Sequence, residues 1–329
     1  MTINKRSSKH RNVLKSYNYY NVINGYKDLF LDKESEEEKY LDGTTPDQLL
    51  ALYQFDEELR LILLRYLLKI EEKIKHYITQ SFYGFFNNST DITDEDKENL
   101  YMENTYLSKS FYDTTASRQE IRSNYRGETY KEKTFNKFIS KVNKNIATHQ
   151  RRNSSIKKYK EEHRYIPMWV LFNILMFGNI SKYFTILKKE IKIDVMKKLG
   201  VTWTFQTENE TIEHFENTLE ILTLTRNFSA HNERLYCFKH NMSLKDRYLD
   251  FRNALPNVED SNYKNRTEMK FGIFSAIFLI SKFIDSKDKK ELLNSLVKAK
   301  ETLRKELKTI TVEDVFKHMN MNHNWEELL

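Results

Sequence analysis

The chain has 329 residues, 54 Lys and Arg against 47 Asp and Glu, and a net charge of +7, which is long enough for one large domain or two ordinary ones. Only 7 Gly and 3 Pro argue against a turn-dense β architecture, and abundant Leu, Ile, Lys and Glu favour helices, so the expected fold class is all-α. One cysteine, Cys237, excludes an intrachain disulfide and a Cys-rich zinc site and suits a reducing cytoplasm, where the chain is expected.

In chain order, Lys5, Arg6, Lys9, His10, Arg11 and Lys15 form a basic N-terminal tail. A tyrosine-rich element follows near residues 13–30, then an acidic surface stretch at 32–38. Thr45-Pro46-Asp47-Gln48 reads as a helix start with a capping box. Leu59, Leu63, Tyr66, Leu67, Ile70, Ile74, Tyr77 and Ile78 then keep helical spacing for about five turns, with Arg60 and the lysines off that stripe. From Asn87 to about Gln150 the sequence turns polar and reads as an excursion with a short helix at 133–142. Between Lys131 and Arg164 eleven cations face three carboxylates, a local +8 that exceeds the charge of the whole chain. With Tyr159, Tyr165, His149 and His163 interleaved, this run, led by Arg151, Arg152, Lys157, Lys158, Lys160 and Arg164, offers cations and rings to a polyanion. It becomes the expected RNA contact only through the family resemblance given below. As a charge run alone it would read as a solvated loop.

Residues 168–187 are expected as one central helix with Trp169 and Phe172 in the core. Thr207 and Glu210 have capping-box spacing, and Ile212, Phe215, Leu219 and Leu222 mark a buried stripe of a helix carried to about residue 238 with a kink near Arg226. Apolar and charged helices are expected at 270–284 and 288–308. The apolar runs 166–177 and 271–280 fall short of the ~20 residues that span a bilayer, so no membrane association is expected. His318 and His323 have no thiolate or carboxylate support and read as tail residues, not metal ligands. No phosphate loop, His-Glu-x-x-His, nucleophile elbow or paired-carboxylate nuclease pattern occurs, and neither a metal nor a cofactor is expected.

The most informative stretch is Arg226-Asn227-Phe228-Ser229-Ala230-His231-Asn232-Glu233-Arg234-Leu235-Tyr236. It supplies a phosphate-binding guanidinium, a polar positioner and an imidazole. On a continuing helix, Arg226, Ala230, Arg234, Asn227 and His231 would share an arc of about 140°. An Arg and a His five residues apart are by themselves a weak signal, and a structural network explains such a pair as well as catalysis does.

The surrounding residues add to it. Arg-Asn-x-x-Ala-His-Asn-x-Arg-Leu-Tyr resembles the signature of the HEPN superfamily, and specifically its Abi-like branch, the AbiD and AbiF abortive phage infection proteins. Leu14-Lys15-Ser16-Tyr17-Asn18-Tyr19-Tyr20 with Gly25-Tyr26 and Phe30 is similar to that family's opening element. Phe55-Asp56-Glu57-Glu58-Leu59-Arg60, running on to Ile70-Glu71, is similar to its second, and Pro167-Met168-Trp169 with Phe177-Gly178-Asn179-Ile180-Ser181 to its third. Asn173 stands where many relatives carry an acidic residue, and it is given no catalytic role.

The resemblance implies a HEPN-like helical domain at 46–240 with an insertion at about 87–160. An N-terminal tail and tyrosine-rich element would occupy 1–45, and a helical extension 241–329. It further implies a metal-independent endoribonuclease of antiphage defence, an effector or toxin that a small RNA could restrain. Arg226, Asn227 and His231 would be catalytic and Arg234 supporting. Because one motif brings one such histidine, it implies a homodimer with a composite site, and Leu235 and Tyr236 are candidates for its interface. A noncatalytic RNA-binding module and a protein-interaction scaffold remain the competing readings.

Overall fold

The computed structural model describes residues 17–18, 20–123, 126–152, 154–201, 207–242, 244–254, 268–321 and 325–328. The basic tail residues Lys5, Arg6, Lys9, His10, Arg11 and Lys15, with Leu14, Ser16, Tyr19 and His323, lie outside them. The molecule is about 71% helical and has no strand among the described residues, so the fold is all-α. Its main helices are α1 (Pro46–Asn87), α2 (Tyr130–Arg152), α3 (Ser154–His163), α4 (Met168–Phe172), α5 (Phe177–Thr185), α6 (Lys189–Lys198), α7 (Glu208–Ala230), α8 (Ile273–Phe283), α9 (Ser286–Glu306) and α10 (Val312–His318). They fall into two compact units, Met1–Lys69 with Leu224–Leu329, and Ile70–Thr223.

In the first unit, Leu59, Leu63, Tyr66 and Leu67 of α1 are buried, as their spacing predicts, and Leu49, Leu52 and Phe55 extend the buried face toward the helix start. The capping box expected at its start takes another form. The Gln48 side chain donates to the Gly43 carbonyl and the Thr309 hydroxyl at 3.2 and 3.0 Å and accepts both the Lys308 and Thr309 amides at 2.8 Å. A long-range turn therefore outcompetes the local cap. Helix α8 is apolar around its whole circumference and is buried throughout except at Lys282. Gly272 precedes it because a Cβ there would meet the Glu268 carbonyl at 3.2 Å and the Asn320 Cβ at 3.3 Å. His318 stacks on Tyr236 with ring centroids 5.3 Å apart.

In the second unit, Ile74, Ile78, Phe82 and Phe86 of α1 are buried. The polar stretch after Asn87 is more ordered than its composition predicts: α2 has 23 residues, not ten, because Phe135, Phe138, Val142 and Ile146 form a buried stripe at helical spacing. Phe138 packs on Tyr183 at 4.7 Å. The single helix expected at 168–187 is two, α4 and α5, separated at 173–176. One straight helix would spread Phe172, Leu175, Phe177 and Ile180 around its surface, whereas the break buries all four. Trp169, expected in the core, is instead 43% exposed. Gly178 sits where a Cβ would lie 3.3 Å from the Thr223 methyl, so glycine permits this close approach of α5 and α7.

Candidate functional site

Helix α7 starts as its sequence predicts, with the Glu210 amide donating to the Thr207 hydroxyl at 3.3 Å and Ile212, Phe215, Leu219 and Leu222 buried. It then runs through Arg226 without the expected kink and ends at Ala230. Asn232 ends it: at φ 59° it adopts the left-handed conformation that asparagine tolerates. The Glu233 amide reaches back to the Phe228 carbonyl at 3.2 Å, the long bond of a Schellman-type terminus.

This termination corrects the helical arc drawn from the sequence. Arg226 and Asn227 lie half-buried on the last turns of α7, and the exposed His231 is the first residue past them, its amide donating to the Asn227 carbonyl at 2.9 Å. Arg234 belongs to the turn that follows and leads into a short 3₁₀ helix, Leu235–Cys237. The Arg234 guanidinium donates to the Gly25 carbonyl at 2.7 Å. Leu235 and Tyr236, candidates for a subunit interface, are instead buried within the first unit at 0% and 1% exposure.

What holds this segment is a side chain to which sequence reasoning gave no role. The fully buried Asp56 carboxylate accepts four hydrogen bonds: from the Tyr26 hydroxyl at 2.7 Å, Arg60 Nη1 at 2.6 Å, and the Leu235 and Tyr236 amides at 3.2 and 2.6 Å. Arg60, expected off the buried stripe, is only 3% exposed and also donates to the Glu233 carbonyl at 3.2 Å. The signal was an Asp and an Arg four residues apart, flanked by Phe55, Leu59 and Leu63. Burial pushes the Asp56 carboxyl above its ordinary range, while the hydroxyl, the guanidinium and the two amides pull it back. Burial and the neighbouring Asp56 push the Tyr26 hydroxyl far up, so it stays protonated and donates. Tyr236 is stacked between Tyr26 at 5.1 Å and His318 at 5.3 Å.

Three sequence segments far apart in the chain, around Tyr26, Asp56 and Tyr236, thus converge to fix the exit of α7. A cavity of about 520 Å³ opens beside that exit, lined in part by Phe228, Asn232 and Arg234 from the segment and by Tyr20, Tyr53 and Lys239. Arg226, Asn227 and His231 are not among its lining residues.

The basic run belongs to the second unit and is helical, not a loop. Arg151 and Arg152 end α2, Lys157, Lys158 and Lys160 lie on α3, and Arg164 follows it at φ 62°. Arg151, Arg152, Lys157, Lys158 and Arg164 are exposed and Lys160 is half-buried. Lys157, Lys158 and Lys160 pair with Glu161, Glu162 and Glu103 at 3.7, 4.0 and 3.6 Å.

Fold and site together define an all-helical protein whose Arg-Asn-x-x-x-His segment is seated at a helix end by a buried Asp–Arg–Tyr network. The chain belongs to the Abi-like protein family, whose model matches residues 12–237. That membership points to abortive infection defence. The match takes in every segment of the network and stops at the 3₁₀ turn that the Asp56 carboxylate holds. No curated protein and no solved structure gives a significant match.

Proposed function

We propose that the chain is an endoribonuclease of antiphage abortive infection that cleaves RNA by 2′-hydroxyl transesterification. The observation that carries this reading is an exposed His231, set one turn beyond Asn227 on a helix end whose exit is held by two hydrogen bonds, from the Leu235 and Tyr236 amides to Asp56. RNA brings its own nucleophile, so the chain needs to remove a proton from the 2′-hydroxyl, stabilise the crowded phosphorane and protonate the departing 5′-oxygen. An imidazole can perform either proton transfer, each contributing roughly 10²–10⁴-fold in rate. Arg226 would clamp the non-bridging oxygens through its planar fork, with Asn227 orienting the phosphate or the ring. Arg234, already bonded to the Gly25 carbonyl, would add positive potential.

General acid and general base chemistry is easiest with two imidazoles, and a second copy of the chain would supply the other, making the site composite across a homodimer. RNA is the substrate, and a small RNA bound to the basic helices could act as the restraint on a toxin. The competing reading is a noncatalytic RNA-binding module in which Arg226 belongs to a structural network.

The two separate on labelled RNA in EDTA. Cleavage leaving 2′,3′-cyclic phosphate ends is expected, abolished by a 2′-deoxy substitution at the cut nucleotide. His231→Ala should lower the rate by roughly 10²–10⁴-fold while the variant still folds and binds RNA. Unchanged cleavage in Arg226→Ala and His231→Ala would overturn the assignment.

A further inference from the structure

The second unit leaves two large rings open to water, Tyr101 at 40% and Trp169 at 43% exposure. They meet edge to face, with centroids 5.8 Å apart and planes at 68°. Tyr83, 8% exposed, backs them both, at 4.8 Å from Tyr101 and 5.9 Å from Trp169. Its hydroxyl accepts the Met168 amide at 3.2 Å, so the start of α4 is tied to α1 one residue before Trp169. Both rings therefore stand on a fixed base.

The rings lie beside the end of the basic helix α3. Glu103, two residues after Tyr101, accepts the Ile166 amide at 2.7 Å and pairs with Lys160 at 3.6 Å. Between Lys160 and Ile166 stands the exposed Arg164, held at φ 62°. Side chains rarely adopt that backbone, and such an outlier motivates a search for function. Among the described residues, Arg151, Arg152 and Arg164 have no carboxylate partner. Cations that follow a chain of phosphates, next to rings that can take a base face, are the two parts of a single-strand site.

We infer that Tyr101 and Trp169 form a stacking platform for an unpaired base of single-stranded RNA whose phosphates run past Arg164 and the exposed face of α3. This rests on the RNA reading above and specifies the substrate as unpaired and sequence-tolerant. A duplex offers phosphates but keeps its bases stacked on one another, so it would engage the cations and not the rings. The local excess of positive charge favours this occupant over a protein segment.

The test uses the full chain carrying His231→Ala, so that binding is read whether or not the parent chain cleaves. The probe is a fluorescein-labelled oligouridylate of roughly 20 nucleotides, longer than the ~4–16 that such grooves engage, compared by anisotropy with a duplex RNA of the same length. Adding Trp169→Ala should weaken single-strand binding about 5- to 150-fold, the factor that one stacked base contributes. Trp169→Phe should retain most of the affinity, and duplex binding should not change. Tyr101→Ala should act in the same direction, and circular dichroism melts would confirm that the variants fold. Equal affinity in the Trp169→Ala chain, or an equal loss for duplex, would overturn the platform. A change in oligomeric mass without any change in RNA affinity would assign the rings to a protein contact and overturn it too. If the platform behaves as expected and the parent chain cleaves no RNA, the nuclease reading fails and the stacking site stands.

Discussion

At the scale of single residues, the energetic weight of the site rests on Asp56. Its carboxylate is the partner of a buried guanidinium, a buried phenol and two backbone amides at once. Removing it leaves the Arg60 charge without that carboxylate in a water-poor place, a change that costs about 3–5 kcal/mol. Tyr26→Phe removes one hydrogen bond to a charged acceptor and should cost less, about 1.5–3 kcal/mol. The expected order in urea unfolding is therefore wild type, then Tyr26→Phe, then Asp56→Ala as the least stable. An Asp56→Ala chain as stable as wild type would refute the clamp. Little of this was legible from the sequence. Asp56 and Arg60 are visible there as a helical i, i+4 pair, but Tyr26 and Tyr236 are 30 and 180 residues away from Asp56, and no local pattern announces such partners.

At the scale of elements, starts were easier to read than ends. The α7 cap and its apolar stripe follow from local chemistry, and so does the stripe of α1. The end of α7 depends on Asn232 accepting a positive φ, which composition does not mark, and the break between α4 and α5 depends on tertiary burial. The turn that leaves the site also carries a titrating element. His240 donates its amide to the Phe271 carbonyl at 2.9 Å, and its Nε2 lies 2.8 Å from the Ser275 hydroxyl. That hydroxyl also lies 2.8 Å from the Gly272 carbonyl, to which it can donate. Burial depresses the ring from the usual 6.5 to about 4, and burial also lowers His318. The unfolded chain thus binds a proton near pH 6.5 that the folded chain refuses until about pH 4. Stability from this group is complete above pH 6.5 and falls as pH drops through that window, by about 3 kcal/mol at most. Asp56, with its raised carboxyl, works in the opposite sense, so the comparison with His240→Gln isolates the histidine. Urea midpoints across the window should fall less steeply in that variant, and an identical slope would assign the loss elsewhere.

At the scale of the molecule, the motif and its clamp occupy one unit and the basic helices with the exposed Tyr101 and Trp169 rings the other, while each chain carries the motif's His231 once. If two copies of His231 divide the acid and base roles, a dimer containing one His231→Ala subunit loses one of them and about 10²–10⁴-fold in rate. Random pairing then makes active dimers scale with the square of the wild-type fraction, as a two-fold interface requires. Wild-type chain re-equilibrated with excess His231→Ala chain should lose activity per wild-type chain in proportion to its fraction, about tenfold at a fraction of about one tenth. A chain that acts alone would keep its activity at every ratio. Assaying at saturating RNA removes simple competition for substrate from the comparison. Flat activity in the His231→Ala mixture, with dimers demonstrated by light scattering, would leave a nuclease centre complete within one chain and remove the composite site.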